Sequence, residues 1–268
     1  MSQYGRRAKQ RRIRELIFGT LAFLLGGTVL AGVAYYMMFR PSGINPHTLC
    51  PADGPTGHYV LLVDKTDPLN FTQKLAFTVI FRGLIEKQVP EGYLLSVFAL
   101  GEDLKENATP IVELCNPGNE TGKSGLTANL KKLKRQYEDR FVEPLLKQAD
   151  ALLGKQPAKA SPIIEMIQLV GINAFRKHNI KGERRLIIMS DMLQNTPQMS
   201  MYRGTVDFAR FAATDYGKKM LSELRDVEVE LHYLMNTPHL QTNRNLQFWI
   251  DYFNKAGARI VAVRPLEG

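Results

Sequence analysis

The sequence predicts an α/β fold with a mostly parallel, six-stranded sheet and helices on both faces, preceded by one transmembrane helix. Two observations lead to this prediction. Over residues 58–268, short apolar runs the length of a strand alternate with longer segments in which apolar residues recur every three or four positions. Such an alternation is typical of a parallel sheet with crossover helices. Ahead of it, residues 16–39 contain no charged residue.

The composition excludes several classes of protein. The chain has 268 residues, of which 44% are hydrophobic and 23% charged, and it has only two cysteines. It is therefore neither intrinsically disordered nor collagen-like, and it is not a small disulfide-rich scaffold. Of the net charge of +9, +6 lies in residues 1–40, where seven Lys and Arg stand against Glu15. Because the rest is only mildly basic, binding to nucleic acid is not predicted.

The apolar stretch predicts an uncleaved signal-anchor helix. A helix of this length spans about 36 Å, which is enough to cross a bilayer core. Six Lys and Arg precede it, so the N-terminus should be cytoplasmic and the rest of the chain periplasmic or extracellular. A cleaved signal peptide is the alternative, but its apolar core is usually about 7–15 residues long. The predicted organisation is a basic tail (1–15), a transmembrane helix (16–39), a linker (40–57) and an α/β domain (58–268).

Both cysteines lie on the predicted outer side, where disulfides persist. Cys50 is in the Pro- and Gly-rich linker, and Cys115 is in the domain. The sequence leaves open whether they form a bridge or remain two thiols, because it does not show their geometry. Neither belongs to a Cys/His spacing that is typical of a metal site.

Six strands are predicted from the apolar runs. The third follows the second too closely for a crossover helix, so it should pair antiparallel to it. The predicted strands are 59–63, 93–100, 111–115, 186–189, 227–234 and 259–263.

Helices are predicted between these strands from their apolar spacing. The expected helices are 71–89, a long amphipathic helix over 126–145, 161–177, a helix near 215–224, and 240–255. Pro144 is a candidate kink in the long helix, and Ser161 and Pro162 are the expected cap and first residue of the next. The stripe of Phe248, Trp249, Tyr252 and Phe253 is expected to lie in the core.

Basic side chains of the long amphipathic helix lie mostly off its apolar face. We interpret them as a solvated surface, with a patch for an acidic partner as the alternative. They are Lys131, Lys132, Lys134, Arg135 and Arg140.

Polar residues follow two of the predicted strands directly. The first strand runs into Asp64-Lys65-Thr66-Asp67-Pro68, and the fourth runs into Ser190-Asp191. The hydroxyl of Ser161 stands shortly before the fourth strand. In open α/β sheets, ligands bind at the carboxyl ends of the strands, so these residues are the candidate site.

At these residues the chain resembles the von Willebrand factor A (vWA) domain family, a Rossmann-like fold, over roughly residues 58–265. The family carries a D-x-S-x-S loop after its first strand, a lone Thr or Ser in a later loop and an Asp after its fourth strand. Asp64, Thr66, Ser161 and Asp191 stand at these positions. The resemblance implies a site for Mg²⁺ or Mn²⁺ that a partner protein completes with an Asp or Glu.

One departure from the family pattern concerns the metal. The second serine of the loop falls at Pro68, which has no hydroxyl, and Asp67 is the candidate to compensate with a carboxylate. The alternative is that Asp64 and Asp191 only cap the turns that follow them.

A segment resembling a phosphate-binding loop offers a different function. Gly118 and Gly122 are followed by Lys123 and Ser124, but only three residues separate the glycines, where a P-loop has four. The strand that ends at Asp191 would imitate the acidic strand of such ATPases. An exposed Gly/Asn turn is the simpler interpretation.

The sequence therefore predicts a membrane-anchored, non-enzymatic interaction or scaffold module that recruits or assembles protein partners, as in an envelope complex. A nucleotide hydrolase that uses Lys123 is one alternative. The other is a structural component of a secretion or DNA-transfer apparatus.

Overall fold

The computed structural model describes residues 3–39, 43–124, 129–154, 158–204 and 206–267. The chain divides into two compact units, Met1–Gly43 and Ile44–Gly268. The second unit begins at Ile44, so it includes residues 44–57 of the predicted linker.

The first unit is built on helix α1 (Gln3–Phe39). Within it, Leu16–Tyr36 is long and apolar enough to cross a membrane, with a mean hydropathy of 2.1. None of this span is buried inside the protein. Its 21 residues reach about 31 Å, the thickness of a bilayer core. These properties fit a single-pass membrane protein.

The second unit contains one six-stranded sheet, with the strand order β3-β2-β1-β4-β5-β6. All neighbouring strands are parallel except β3, which pairs antiparallel to β2 as predicted. The sheet is therefore mixed but mostly parallel. Its strands are β1 (His58–Asp64), β2 (Leu94–Leu100), β3 (Val112–Cys115), β4 (Arg184–Ser190), β5 (Val227–Leu234) and β6 (Arg259–Leu266).

The helices of this unit are shorter than their periodicity predicts, because π-helical turns interrupt or end three of them. These turns are Leu84–Gln88, Glu138–Val142 and Gly171–Arg176. The α-helical segments are α2 (Phe71–Gly83), α3 (Leu130–Tyr137), α4 (Glu143–Leu146), α5 (Ala149–Leu153), α6 (Ile163–Val170), α7 (Phe208–Ala213), α8 (Asp215–Met220) and α9 (Asn243–Lys255).

Three helix predictions need correction or limits. The amphipathic segment is divided into α3, a π-helical turn and α4, and Pro144 lies in the first turn of α4. The prediction that this helix begins near Leu126 lies outside the described residues. Ser161 does not cap α6, because Pro162 occupies the cap position and makes no side-chain cap hydrogen bond. Helix α7 was not predicted.

Alternate side chains of each central strand enter two hydrophobic cores, one on each face of the sheet. Val60 and Leu62 of β1 belong to one core, which α6 and α9 cover. Leu61 and Val63 belong to the other, which contains residues of α2, α3 and the turn after α3. The aromatic stripe of α9 is buried in the first core, as predicted.

Segment 44–51 is fixed to the sheet rather than free. Cys50 and Cys115 form a disulfide, which settles the alternative that the sequence left open. The N–H of Cys115 donates to the carbonyl of Thr48 at 2.8 Å, and Leu49 is buried in the second core. Ile44 and Pro51 form an isolated β-bridge. The chain therefore enters the second unit beside its edge strand β3.

We expect the double variant Cys50→Ser/Cys115→Ser to unfold more easily. The bridge joins positions 65 residues apart, and closing a loop of that length stabilises a protein by about 2–4 kcal/mol. Denaturant unfolding is measured through Trp249, the only tryptophan, which is fully buried. The parent chain under reducing conditions should match the variant. Equal stability of variant and oxidised parent would contradict a structural role for the bridge.

Candidate functional site

The candidate site lies at the carboxyl ends of the two central strands. β1 ends at Asp64, and β4 ends at Ser190, directly before Asp191. The two strands are parallel neighbours, and Val63 pairs with Met189. Because successive strands are added on opposite sides of β1 and β4, this is the switch point of the sheet, where open α/β folds bind their ligands.

Asp64 is buried at this point and accepts three hydrogen bonds. Its Oδ1 accepts from the backbone N–H of Thr66 at 2.9 Å and from the Thr66 hydroxyl at 2.6 Å. Its Oδ2 accepts from the hydroxyl of Ser190 at 2.6 Å. These bonds hold the carboxylate in one orientation and leave Oδ2 with spare capacity to accept.

Ser161 meets the same cluster from another part of the chain. Its hydroxyl oxygen lies 3.0 Å from that of Thr66, although 95 residues separate them. A two-way backbone bridge with Asn195 holds Ser161 in place. The structure thus brings Ser161 to Thr66 and Asp64, but through this bridge rather than as a helix cap.

Asp191 is buried beside these groups. Its Oδ1 accepts from the N–H of Leu193 at 2.9 Å, and its Oδ2 lies 3.5 Å from the hydroxyl of Tyr202. The half-buried Asp67 lies close to this carboxyl. Oδ2 therefore has no short hydrogen bond within the described part of the chain.

The backbone beside Asp191 is held in an uncommon conformation. Met192 has φ of 56°, in the left-handed region that residues other than glycine rarely adopt. Trp249 Nε1 donates to the carbonyl of Met192 at 2.8 Å, and Gln241 Nε2 donates to the carbonyl of Asp191 at 3.0 Å. Strain of this kind persists where the surroundings fix it and is common at functional sites.

Three carboxyl groups, those of Asp64, Asp67 and Asp191, lie together in this cluster, and their negative charges repel one another when they are ionised. None of the ion pairs between described residues involves Asp64, Asp67 or Asp191. Burial raises the pKa of Asp64, although hydrogen bonds from Ser190 and Thr66 oppose the shift. Burial, and next the charge of Asp64, raise the pKa of Asp191 well above its usual range. The site therefore favours a proton or a cation.

The donor set suits a hard divalent cation. Carboxylate and hydroxyl oxygens are the ligands that Mg²⁺ prefers, and Mg²⁺ usually keeps several waters beside one or two carboxylates. Asp64, Asp191, Thr66 and Ser161 would supply such oxygens, with Asp67 beside them. Within the described ranges, however, no group of three or more His, Cys, Asp or Glu side chains is arranged to hold a metal ion. Metal binding by these residues thus remains a prediction.

Two members of the cluster, Ser190 and Tyr202, are not predicted by the sequence pattern. Ser190 was noted only as a neighbour of Asp191, and its bond to Asp64 follows from the strand register. Tyr202 comes from a 3₁₀ turn that no periodic pattern indicates. Burial, and next the charge of Asp191, raise the pKa of the Tyr202 hydroxyl, which therefore remains a neutral donor.

The phosphate-loop-like segment lies at the other end of the sheet. It follows Cys115, which pairs with Leu94 at the start of β2, whereas Asp191 follows the end of β4. Lys123 is engaged with both carboxylate oxygens of Glu91, at 3.0 and 2.9 Å. Lys123 and Asp191 therefore do not share a nucleotide site, which removes the main support for the hydrolase alternative.

Solved structures with a similar fold include three of very different origin. The SpRpn10 VWA domain is 11% identical, with 79% of this chain and 89% of that chain covered and a TM-score of 0.39. An aerotolerance-related membrane protein from Bacteroides fragilis is 9% identical, with 79% of this chain and 91% of that chain covered and a TM-score of 0.37. The manganese-loaded TRAP protein from Plasmodium vivax is 14% identical, with 67% of this chain and 57% of that chain covered and a TM-score of 0.33. At these identities, and with TM-scores below 0.5, the likeness concerns the fold and does not extend to function.

The class of fold follows from the sheet itself. The strand order, the single antiparallel edge strand and the helices on both faces make this an open, mostly parallel α/β fold, preceded in the chain by an apolar helix. No protein-family model matches the chain, and no curated protein matches it in sequence.

We expect Asp191→Asn to stabilise the protein in the presence of EDTA. A carboxyl whose pKa is raised by folding favours its protonated form, so its ionised form costs stability above its unfolded pKa of about 3.9. At pH 7.5, above that unfolded pKa, the uncharged amide should raise the free energy of unfolding, because it removes the cost of the ionised carboxylate. The asparagine side chain keeps an oxygen that can accept the hydrogen bond from the N–H of Leu193.

Denaturant unfolding followed through Trp249 checks this expectation. Asp139→Asn, which removes an exposed carboxylate in the turn after α3, is the matched control and should change stability by less than about 0.5 kcal/mol. A loss of stability in Asp191→Asn would show that the ionised carboxylate is not under strain.

Proposed function

We propose that this protein is a membrane-anchored interaction module whose vWA-like domain binds protein partners at the Asp64–Asp191 site, with a divalent cation as the bridge. The observation that supports this most is the burial of two carboxylates beside hydroxyl oxygens, without an ion pair to any described residue. A cation would relieve their repulsion and still accept a ligand from outside. The residues that would hold it are Asp64, Thr66, Ser161 and Asp191.

The partner would present an Asp or Glu to this cation. A partner carboxylate is a hard oxygen ligand that completes the shell where the protein supplies few ligands, as Pro68 leaves it here. The recruited partners would be components of a larger assembly at the membrane, such as an envelope complex. A structural component of a secretion or DNA-transfer apparatus is the alternative, in which the domain would serve only as a scaffold, and identification of co-purified neighbours would distinguish the two.

An exposed apolar face lies on α2, the helix that follows the site loop in the chain. Phe71, Leu75 and Val79 recur every four residues, and their relative exposures are 77%, 53% and 72%. They begin five positions after Thr66, in the helix that follows the site loop. Large exposed apolar side chains in one stripe are typical of interaction sites. This face would add apolar contact with the partner that ligates the cation.

The proposed topology places this domain on the periplasmic or extracellular side. The six basic residues before Leu16 would remain cytoplasmic, and the disulfide would be stable in the oxidising compartment on the other side.

Metal binding is tested by thermal and denaturant unfolding of the full-length chain with Mg²⁺ or Mn²⁺, read through Trp249. A ligand that binds only the folded state at ten times its Kd adds about 1.4 kcal/mol of stability. We expect this gain for the parent and for Asp139→Asn, and we expect Asp64→Asn and Asp191→Asn to lose it.

Two outcomes would contradict the metal proposal. Equal gains in parent and site variants would indicate binding elsewhere. A gain that requires Mg-ATP, and that Lys123→Ala abolishes, would favour the nucleotide hydrolase instead.

Reporter fusions at the C-terminus test the proposed topology. A reporter that is active only outside the cytoplasm should be active when it is fused after Gly268, and a reporter that is active only in the cytoplasm should be silent. Activity of the cytoplasmic reporter alone would contradict the outward orientation.

A further inference from the structure

A strongly basic face covers the outer side of α3. Four of its eight residues are Lys or Arg, and none is acidic. All four side chains are exposed, whereas the apolar side of the helix turns inward at Tyr137. Of these four side chains, only that of Lys134 forms an ion pair with a described residue, namely Glu138 at 3.9 Å. We call Lys131, Lys132, Lys134 and Arg135 the basic face.

The basic face lies at the place where the chain enters the second unit. Arg140, in the π-helical turn that continues α3, donates to the carbonyl of Pro46. The disulfide and the hydrogen bond from Cys115 to Thr48 fix the same segment, residues 44–51, which we call the entering segment. Basic face and entering segment therefore belong to one region of the domain.

Only residues 40–43 separate this unit from the end of α1. α1 ends at Phe39 and the second unit begins at Ile44. At about 3.3–3.6 Å per residue, five steps along the chain reach at most about 18 Å. This length sets an upper limit on the distance between Phe39 and Ile44, and it implies nothing about orientation. The segment that enters the second unit is therefore held by a short tether to any bilayer that contains α1.

From these observations we propose that the basic face of α3 binds the anionic phospholipid headgroups of the membrane in which α1 is anchored. Clustered Lys and Arg near a leaflet that contains anionic lipid are attracted to it, and each strengthens binding about fivefold. The exposed side of α3 offers no aromatic or aliphatic anchor, which a protein interface usually needs at its centre. A polar, charged layer of headgroups fits such a surface better.

The role of this contact would be to hold the domain against the bilayer. Tethering gives the headgroups a high effective concentration around the face, so weak individual attractions suffice. The contact would limit rotation of the domain and so fix the direction in which the Asp64–Asp191 site points. The proposal does not depend on whether that site binds a metal.

The test uses the full-length protein in nanodiscs of phosphatidylcholine alone or with one third phosphatidylglycerol. Both leaflets of such a disc have the same composition, so the result is independent of topology. We expect the backbone amides of α3 to exchange hydrogen at least about fivefold more slowly in the anionic discs. High salt should remove the difference, because it screens exposed charges.

Matched variants distinguish an effect of the basic face from a general effect of positive charge on the protein. Lys131→Gln/Lys132→Gln should abolish most of the protection, and Lys218→Gln/Lys219→Gln, which removes two exposed charges from α8, should leave it unchanged. Unchanged exchange of β1 in all variants shows that they are folded. Equal exchange of α3 in both kinds of disc would overturn the proposal. So would protection that appears only when poly-glutamate is added, because the face would then suit an acidic polypeptide.

Discussion

The structure depends on the meeting of two buried carboxylates at the ends of its two central strands. Asp64 and Asp191 come from different parts of the chain, and parallel pairing of β1 with β4 brings them to one edge. Burial and the charge of Asp64 raise the pKa of Asp191, and neither carboxylate forms an ion pair with a described basic residue. A purely structural site would not need such an arrangement, since a neutral side chain would cap the same turns. The cost of burying these charges is the physical reason to expect a cation.

The rest of the domain makes this arrangement possible. Two hydrophobic cores pack against the central strands, one on each face of the sheet, and so hold the strands that carry the two carboxylates. Trp249 contributes to both stability and site geometry, because it is fully buried in one core and also donates to the carbonyl of Met192. Ser161 is supplied by the loop before α6 and held by Asn195. The site is therefore built on rigid elements, with hydroxyls already placed beside the carboxylates.

The elements of the fold that depend on local sequence pattern were predictable. The six strands follow from apolar runs, and the antiparallel β3 follows from the short connection before it. The π-helical turns were not predictable, because they keep the same apolar spacing as an α-helix over a few residues. Ser161 illustrates the limit at the site. Its position before a proline suggested a helix cap, whereas a long-range bridge to Asn195 determined its place. Tyr202 reaches Asp191 only through tertiary structure.

Direct observation of the ion tests the central claim most sharply. Anomalous diffraction from crystals of the protein grown with Mn²⁺ would locate any bound metal. The account predicts one strong peak about 2 Å from oxygen atoms of the Asp64–Asp191 cluster, lost in crystals of Asp191→Asn. A structure with both carboxylates in the same positions and no peak between them, at a Mn²⁺ concentration that fills ordinary sites, would contradict it.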